Sequence, residues 1–424
     1  MKRSSQFRWV VLAISFLAQL SNALAGLSVA PLAPIFQPEL GLTKAEVGFF
    51  SAAAFAGAWV ILLVAGSLTD RFGVRKVMSL GQLATGLLVL CMSTVGSFVQ
   101  AASVMLLAGI GRGTTGPGIT KAIVDWFPTR ARASAMGINQ AAIPLAGIIT
   151  ASSLPAISLM VGWRSAIAVV GLAILVGGIA TAVAYRDPYR PTVRATPRSE
   201  IRSNVKEAVA NRQLWVVGTM GAVFSGVQFS LITYLALYFK EVVLVPLIPE
   251  EFNRIVAAGR YLALCYAGSI FARIFWGVVS DRVFNGRRLG VLAGIGALSA
   301  AMSLAVGSLG SGYPLWALSI VVLAYGATAM GWQGLYFVVA AETASSRNAG
   351  TGVGLCMTCS QLGFVGVPPL FGFILDTTGS YRAAWLFLGT LSGIGTLVAT
   401  VMARREKQPA RSPSAAQQER TSSL

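Results

Sequence analysis

Three basic side chains interrupt long apolar stretches: Arg112, Lys121 and Arg273. A cation in such surroundings is costly unless something compensates it, so each is a candidate for binding work. No acidic residue lies comparably deep, so the embedded excess is positive and the expected ligand is an anion. Arginine presents a planar fork that matches a carboxylate, whereas lysine presents a movable point charge. We expect Arg273 to hold a carboxylate; the alternative is a structural bond to the last turns of neighbouring helices. Lys121 is a second candidate ligand, with pairing to Asp125, one helical turn on, as its alternative. Trp332 and Tyr336 stand one turn apart and can cap a small ligand, the Tyr hydroxyl donating to an anion. Inward-facing amides would complete a cavity: Asn22, Gln140 and Gln361, with Gln19, Asn139 and Gln228 as further candidates.

Other chemistry is poorly supported. The chain has no histidine, which removes histidine catalysis and histidine proton relays. Cys356 and Cys359 form a CxxC inside an apolar segment with no second pair, so we read them as packing residues, not a metal or redox site. Gly111-Arg-Gly-Thr-Thr-Gly116 spells a dinucleotide fingerprint, but no strand precedes it, and its glycines fit close helix packing better. No catalytic constellation is present. The expectation is a protein that is not an enzyme and needs no cofactor.

The elements that must position these residues follow from composition. Of 424 residues, 55% are hydrophobic and 11% charged. The charges cluster, leaving apolar stretches of about 20 residues, enough to cross the ~30 Å of a bilayer's hydrocarbon as helix. The net charge of +18 is no nucleic-acid signature, because the basic residues lie between apolar spans. Spans are expected at 9–33, 47–68, 77–97, 101–127, 133–158 and 165–185, then at 214–239, 256–279, 289–309, 315–341, 351–374 and 383–402. This gives an N-terminal six-helix bundle (1–185), a basic linker (186–213), a C-terminal six-helix bundle (214–403) and a polar tail (404–424). The N-terminus has signal-peptide features, Lys2, Arg3 and Ala23-Leu24-Ala25, but the apolar run is too long, and we read an uncleaved first helix. Lys and Arg favour one set of alternate loops by about four to one, which places both termini and the linker in the cytoplasm. The location is then the inner membrane, and the basic linker can rest on anionic lipid headgroups.

A repeat ties the halves together. Gly66-Ser-Leu-Thr-Asp70-Arg71 follows the second span, and Gly277-Val-Val-Ser-Asp281-Arg282 the eighth, at an offset of 211 residues. Asp125 with Arg130 matches Glu342 with Arg347 at 217, and Trp163-Arg164 matches Tyr381-Arg382 at 218. Parallel halves of this kind place a binding site between them near the bilayer midplane, with alternating access by rocking. The glycines are expected to allow close helix approach. Asp70, Arg71, Asp125, Arg130, Asp281, Arg282, Glu342 and Arg347 are read as a cytoplasmic ion-pair gate.

These paired Asp-Arg loops resemble the hallmark loop of the major facilitator superfamily, along nearly the whole chain. The resemblance implies an all-α membrane protein of twelve transmembrane helices in two pseudo-symmetric six-helix bundles. It also implies secondary transport, with the bilayer as environment and a proton or a counter-anion as coupling partner. Arg273-Ile-Phe-Trp-Gly resembles the eighth helix of oxalate:formate exchangers and, more loosely, of monocarboxylate transporters; Trp332-Gln-Gly-Leu-Tyr336 has the spacing that lines the exchanger cavity. The exchangers' eleventh-helix lysine has no counterpart in Gly354–Gln361, so either Lys121 supplies the second cation or the ligand has one carboxylate. Arg112 resembles a fourth-helix arginine read as gating or proton relay. Asp125-Trp-Phe-Pro-Thr-Arg130 resembles the loop of organic-anion and nitrate transporters. The expectation is a monomeric carrier of a small organic anion, with no nucleic-acid partner. Efflux of drugs or hydrophobic compounds on the same fold is the alternative.

Overall fold

The computed structural model describes residues 2–187, 198–285, 287–310, 312–344 and 349–406, and among them there is helix and no strand. Among the described residues, eleven helices are long and apolar enough to cross a membrane. The remaining expected span is the fourth, built from Phe98–Gly113 and Thr115–Trp126 with a break at Thr114, and it falls short in hydropathy. It carries Arg112 and Lys121, which lower its hydropathy. Adding it to the eleven gives twelve.

The tenth span is broken in the same way, between Leu315–Ala329 and Gln333–Thr343. Met330 and Thr114 are 216 residues apart, close to the offset of the flanking loops, so the break belongs to the repeated unit. The first span is longer than expected, running through Lys2–Leu27 and Val29–Glu39. The linker is not polar coil throughout, since Arg198–Ala210 is helical and Asn211 Nδ2 donates to the Thr343 carbonyl at 3.2 Å.

Local sequence accounts for the ends. Thr43 and Glu46 form a reciprocal capping box at the start of the second span, Lys44–Phe72. Gly73 (φ 86°) and Gly162 (φ 84°) make the sharp turns into the third span, Val74–Cys91, and the sixth, Trp163–Ala184. Asp187, just past the sixth span, accepts from the Val74 amide at 2.9 Å and so caps the third.

Within the N-terminal half, Gly57 and Gly109 let the second and fourth spans meet backbone to backbone. Gly66 and Gly277 behave otherwise than expected. Among the described residues, nothing from a neighbouring element lies within 4 Å of where a side chain would begin, so neither serves as a close-approach glycine in this conformation.

Twelve crossings put both termini, the linker and the Asp-Arg loops at one end of the bundle, here the basic end. At the opposite, far end the halves are locked together. The second span meets the eleventh, Ala349–Thr378; the first meets the seventh, Arg212–Tyr238; the fifth, Thr129–Gln140 and Ala142–Val161, meets the eighth, Glu251–Arg282. Asp376 accepts from the Lys44 and Ala45 amides at 2.9 and 2.8 Å, Tyr234 Oη donates to the Lys44 carbonyl at 2.7 Å, and the Lys44 ammonium pairs with Glu241. The basic-end segments Thr115–Trp126, Thr129–Gln140 and Gln333–Thr343 make their helix contacts inside their own halves. The molecule is closed at the far end and splayed at the basic end.

Candidate functional site

The closed interface ends at an aromatic roof. Phe55 of the second span stacks on Phe364 of the eleventh, ring centres 5.1 Å apart, and meets Phe229 of the seventh edge-on at 4.3 Å. Arg112 reaches this roof from the fourth span, with Cζ 4.1 Å from the centre of the Phe55 ring. Its guanidinium fills the space that a side chain at Gly26 would take on the first span. Gly116 and Thr120, one and two turns nearer the basic end on the same face, are exposed.

Arg273 is placed by register. Tyr266 packs against Gly147 across the halves. Arg273 lies seven residues on from Tyr266, two turns towards the basic end on the same face of the eighth span. Gln140 lies seven residues before Gly147, two turns along the fifth span in the same direction. Arg273 and Gln140 therefore stand at one depth on facing sides of the cleft. Arg273 Nη2 donates to Gln333 Oε1 at 2.9 Å, at the start of the helix beyond the tenth-span break.

The cleft is short of partners. Arg112 Nε, Arg273 Nε, Asn22 Oδ1, Gln140 Oε1 and Tyr266 Oη are buried and without a hydrogen bond among the described residues. An unmet buried polar group costs about 1–3 kcal/mol, and more when charged, so each of these atoms favours a polar ligand that reaches it. Asn22 is four residues before Gly26 on the first span, and Gln361 three residues before Phe364 on the eleventh, so both share the faces beneath the roof.

Other expected residues lie elsewhere. Lys121 Nζ pairs with Asp70 at 2.5 Å, not with Asp125, at the basic end of the N-terminal half. Trp332 and Tyr336 are buried inside the C-terminal half. Trp332 Nε1 donates to Gln228 Oε1 at 3.1 Å, and Tyr336 Oη donates to the Cys356 carbonyl at 2.9 Å. Of the loop residues, Glu342 pairs with Arg288 at 2.6 Å within one half; Asp70, Arg71, Asp281 and Arg282 are exposed, and Asp125 is half-buried. Arg347 and the Arg130 side chain lie outside the described residues. Arg112 stands apart from this set, at the roof. Gln333 was missed by sequence reasoning, although a glutamine inside the tenth apolar run was signal enough. Cys356 and Cys359 are free and buried.

The model of the Major Facilitator Superfamily matches residues 13–368 and 242–424. The chain belongs to this superfamily. A probable sulfoacetate transporter of Cupriavidus necator is 25% identical and is matched over 94% of both chains. A probable galactarate/D-glucarate transporter of Bacillus subtilis is 23% identical over 96% of both. A solved bacterial homologue of the human lysosomal transporter Spinster, inward-facing and unoccupied, has a TM-score of 0.77 at 16% identity, covering 96% of this chain and 99% of that one. This facilitator is a multi-pass membrane transporter, and its family is one of carriers, not enzymes.

Proposed function

We propose that this facilitator moves a small organic anion, bearing at least one carboxylate, across the inner membrane by alternating access. The observation that carries the reading is Arg273, half-buried in the cleft wall, with its Nε unmet and an uncharged glutamine as its hydrogen-bond partner. A guanidinium compensated in this way retains most of its capacity for a charge-assisted pair. Gln140, Gln361 and Asn22 are the proposed neutral ligands. Relatives named for sulfoacetate and for galactarate/D-glucarate support the same class of cargo.

On this reading residues 1–185 and 214–403 are the rocking bodies, joined by the 186–213 linker. The bias of Lys and Arg makes the basic end cytoplasmic, so the conformation described is open to the cytoplasm. A proton or a counter-anion is the coupling partner, and the carrier acts as a monomer.

The test is uptake by proteoliposomes of labelled mono- and dicarboxylates, with binding to purified Arg273→Ala and Arg273→Lys. Loss of the alanine variant's pair is expected to cost about 2–4 kcal/mol, or about 30- to 1000-fold in affinity. Lysine should restore only part, since an ammonium lacks the fork. Wild-type affinity in a folded Arg273→Ala protein would refute the reading.

A further inference from the structure

We infer that Arg112 is a second anion-holding residue and that the cargo class is the dianion, bridged between the halves by Arg112 on one side and Arg273 on the other. The inference rests on the anion reading above and extends it to charge and to a residue whose resemblance to a fourth-helix arginine implies gating or proton relay.

Sequence alone offered Lys121 as the second cation, but its ammonium is already met by Asp70. Arg112 is not. Among the described residues no carboxylate pairs with it, its Nε is buried and unmet, and its Cζ lies over the face of Phe55. Stacking on an aromatic face leaves the edge of a guanidinium, where its N–H donors lie, open to hydrogen bonding; here Nη1 abuts Gly26 and Nε is the donor left for an oxyanion.

Position supports the same end. Helical side chains lean towards the N-terminus of their helix, so Arg112 rises to the underside of the roof. Below it the face of the fourth span is open at Gly116 and Thr120. Arg273 belongs to the other half, on a face that looks across the cleft. The two guanidiniums thus belong to separate halves that border one cleft. They repel each other in a low-dielectric space unless something between them carries charge. A monoanion cancels one of them. A ligand with an acid group at each end cancels both and draws the halves together.

The experiment uses the full-length purified protein in lipid nanodiscs, with binding measured by calorimetry. The probes are paired by shape: sulfoacetate against acetate, and D-glucarate against D-gluconate. The wild type is expected to bind each dianion at least about tenfold more tightly than its monoanion partner. Arg112→Gln should remove most of that preference while leaving the monoanion within about twofold, and Arg112→Lys should return part of it. Thermal unfolding without ligand verifies each variant, and Arg112→Lys carries the test if the glutamine form does not fold. Dianion affinity unchanged in Arg112→Gln but lost in Arg273→Gln would overturn the inference and leave the anion reading intact. Affinity unchanged in both variants would sink both. A wild type that binds neither dianion, or prefers the monoanions, would overturn the dianion assignment.

Discussion

The Asp376 carboxylate, on the eleventh span, accepts hydrogen bonds from the backbone amides of Lys44 and Ala45 at 2.9 and 2.8 Å, so one half of the molecule caps the first helical turn of the other. Thr43 already caps that helix from its own chain neighbour, accepting from the Glu46 amide at 3.1 Å. The first-turn amides are thereby shared between a permanent cap and a conditional one. The conditional cap exists only while the far end is shut.

Asp376→Ala should therefore weaken far-end closure. A lost helix cap is worth about 1–2 kcal/mol, which is about 5- to 30-fold in the ratio of closed to open forms. Spin labels at Thr94→Cys and Thr377→Cys, on opposite halves at that end, would report it. A distance distribution identical to that of the unaltered background would show that Asp376 contributes nothing to closure.

Lys121 and Asp70 should behave as a unit. The pair is well exposed, with side chains 31% and 74% accessible, so its worth to stability is about 0–1 kcal/mol. Lys121→Gln and Asp70→Asn should each leave substrate affinity within about twofold while slowing turnover. The double variant should be no slower than the worse single one. A large loss of equilibrium binding in Lys121→Gln alone would return this lysine to the site.

Trp332→Phe should cost stability, not affinity. It leaves Gln228 Oε1 buried with no donor, a penalty of about 1–3 kcal/mol. Adding Gln228→Leu should recover much of the lost melting temperature. A Trp332→Phe protein that melts normally but binds tenfold more weakly would make Trp332 a ligand after all.

Orientation is testable with one residue. A cysteine at Ser203, in an otherwise cysteine-free chain, should resist impermeant reagent applied from outside intact spheroplasts. Labelling from outside would reverse the topology.

Much of this molecule was legible in its sequence because membrane spans are written as composition over some twenty positions. The repeat was readable for a related reason, since Asp70 and Asp281 each stand four residues after a glycine and just before an arginine. The facing of a helix is harder. Trp332 and Tyr336 have a spacing that suits a cavity wall and a packed interior equally, and only the hydrogen bond to Gln228 and the Cys356 carbonyl separates the two. Lys121 was misleading because Asp125 was near in sequence, whereas Asp70, 51 positions away, was nearer in space. Arg273 was singled out by its depth in a span, a property that a single sequence does preserve, and by its resemblance to an exchanger helix. Its partner Gln333 follows a helix break at Met330, which Gly331 could have announced.

The clearance around Gly66 and Gly277 has a consequence for how the transporter's resting state is set. Gly48 is already occupied at the far end, with the Tyr234 hydroxyl and the Pro368 carbonyl where a side chain would go. Gly66 and Gly277 are its opposites, unfilled while the basic end is splayed. One added methyl at Gly48 penalises the present state, whereas the same methyl at Gly66 costs nothing until the other state forms. The standing ratio of the two orientations is therefore adjustable, in either direction, from positions that never meet cargo. Idle posture and binding strength become separate dials in this chain, each set by its own residues.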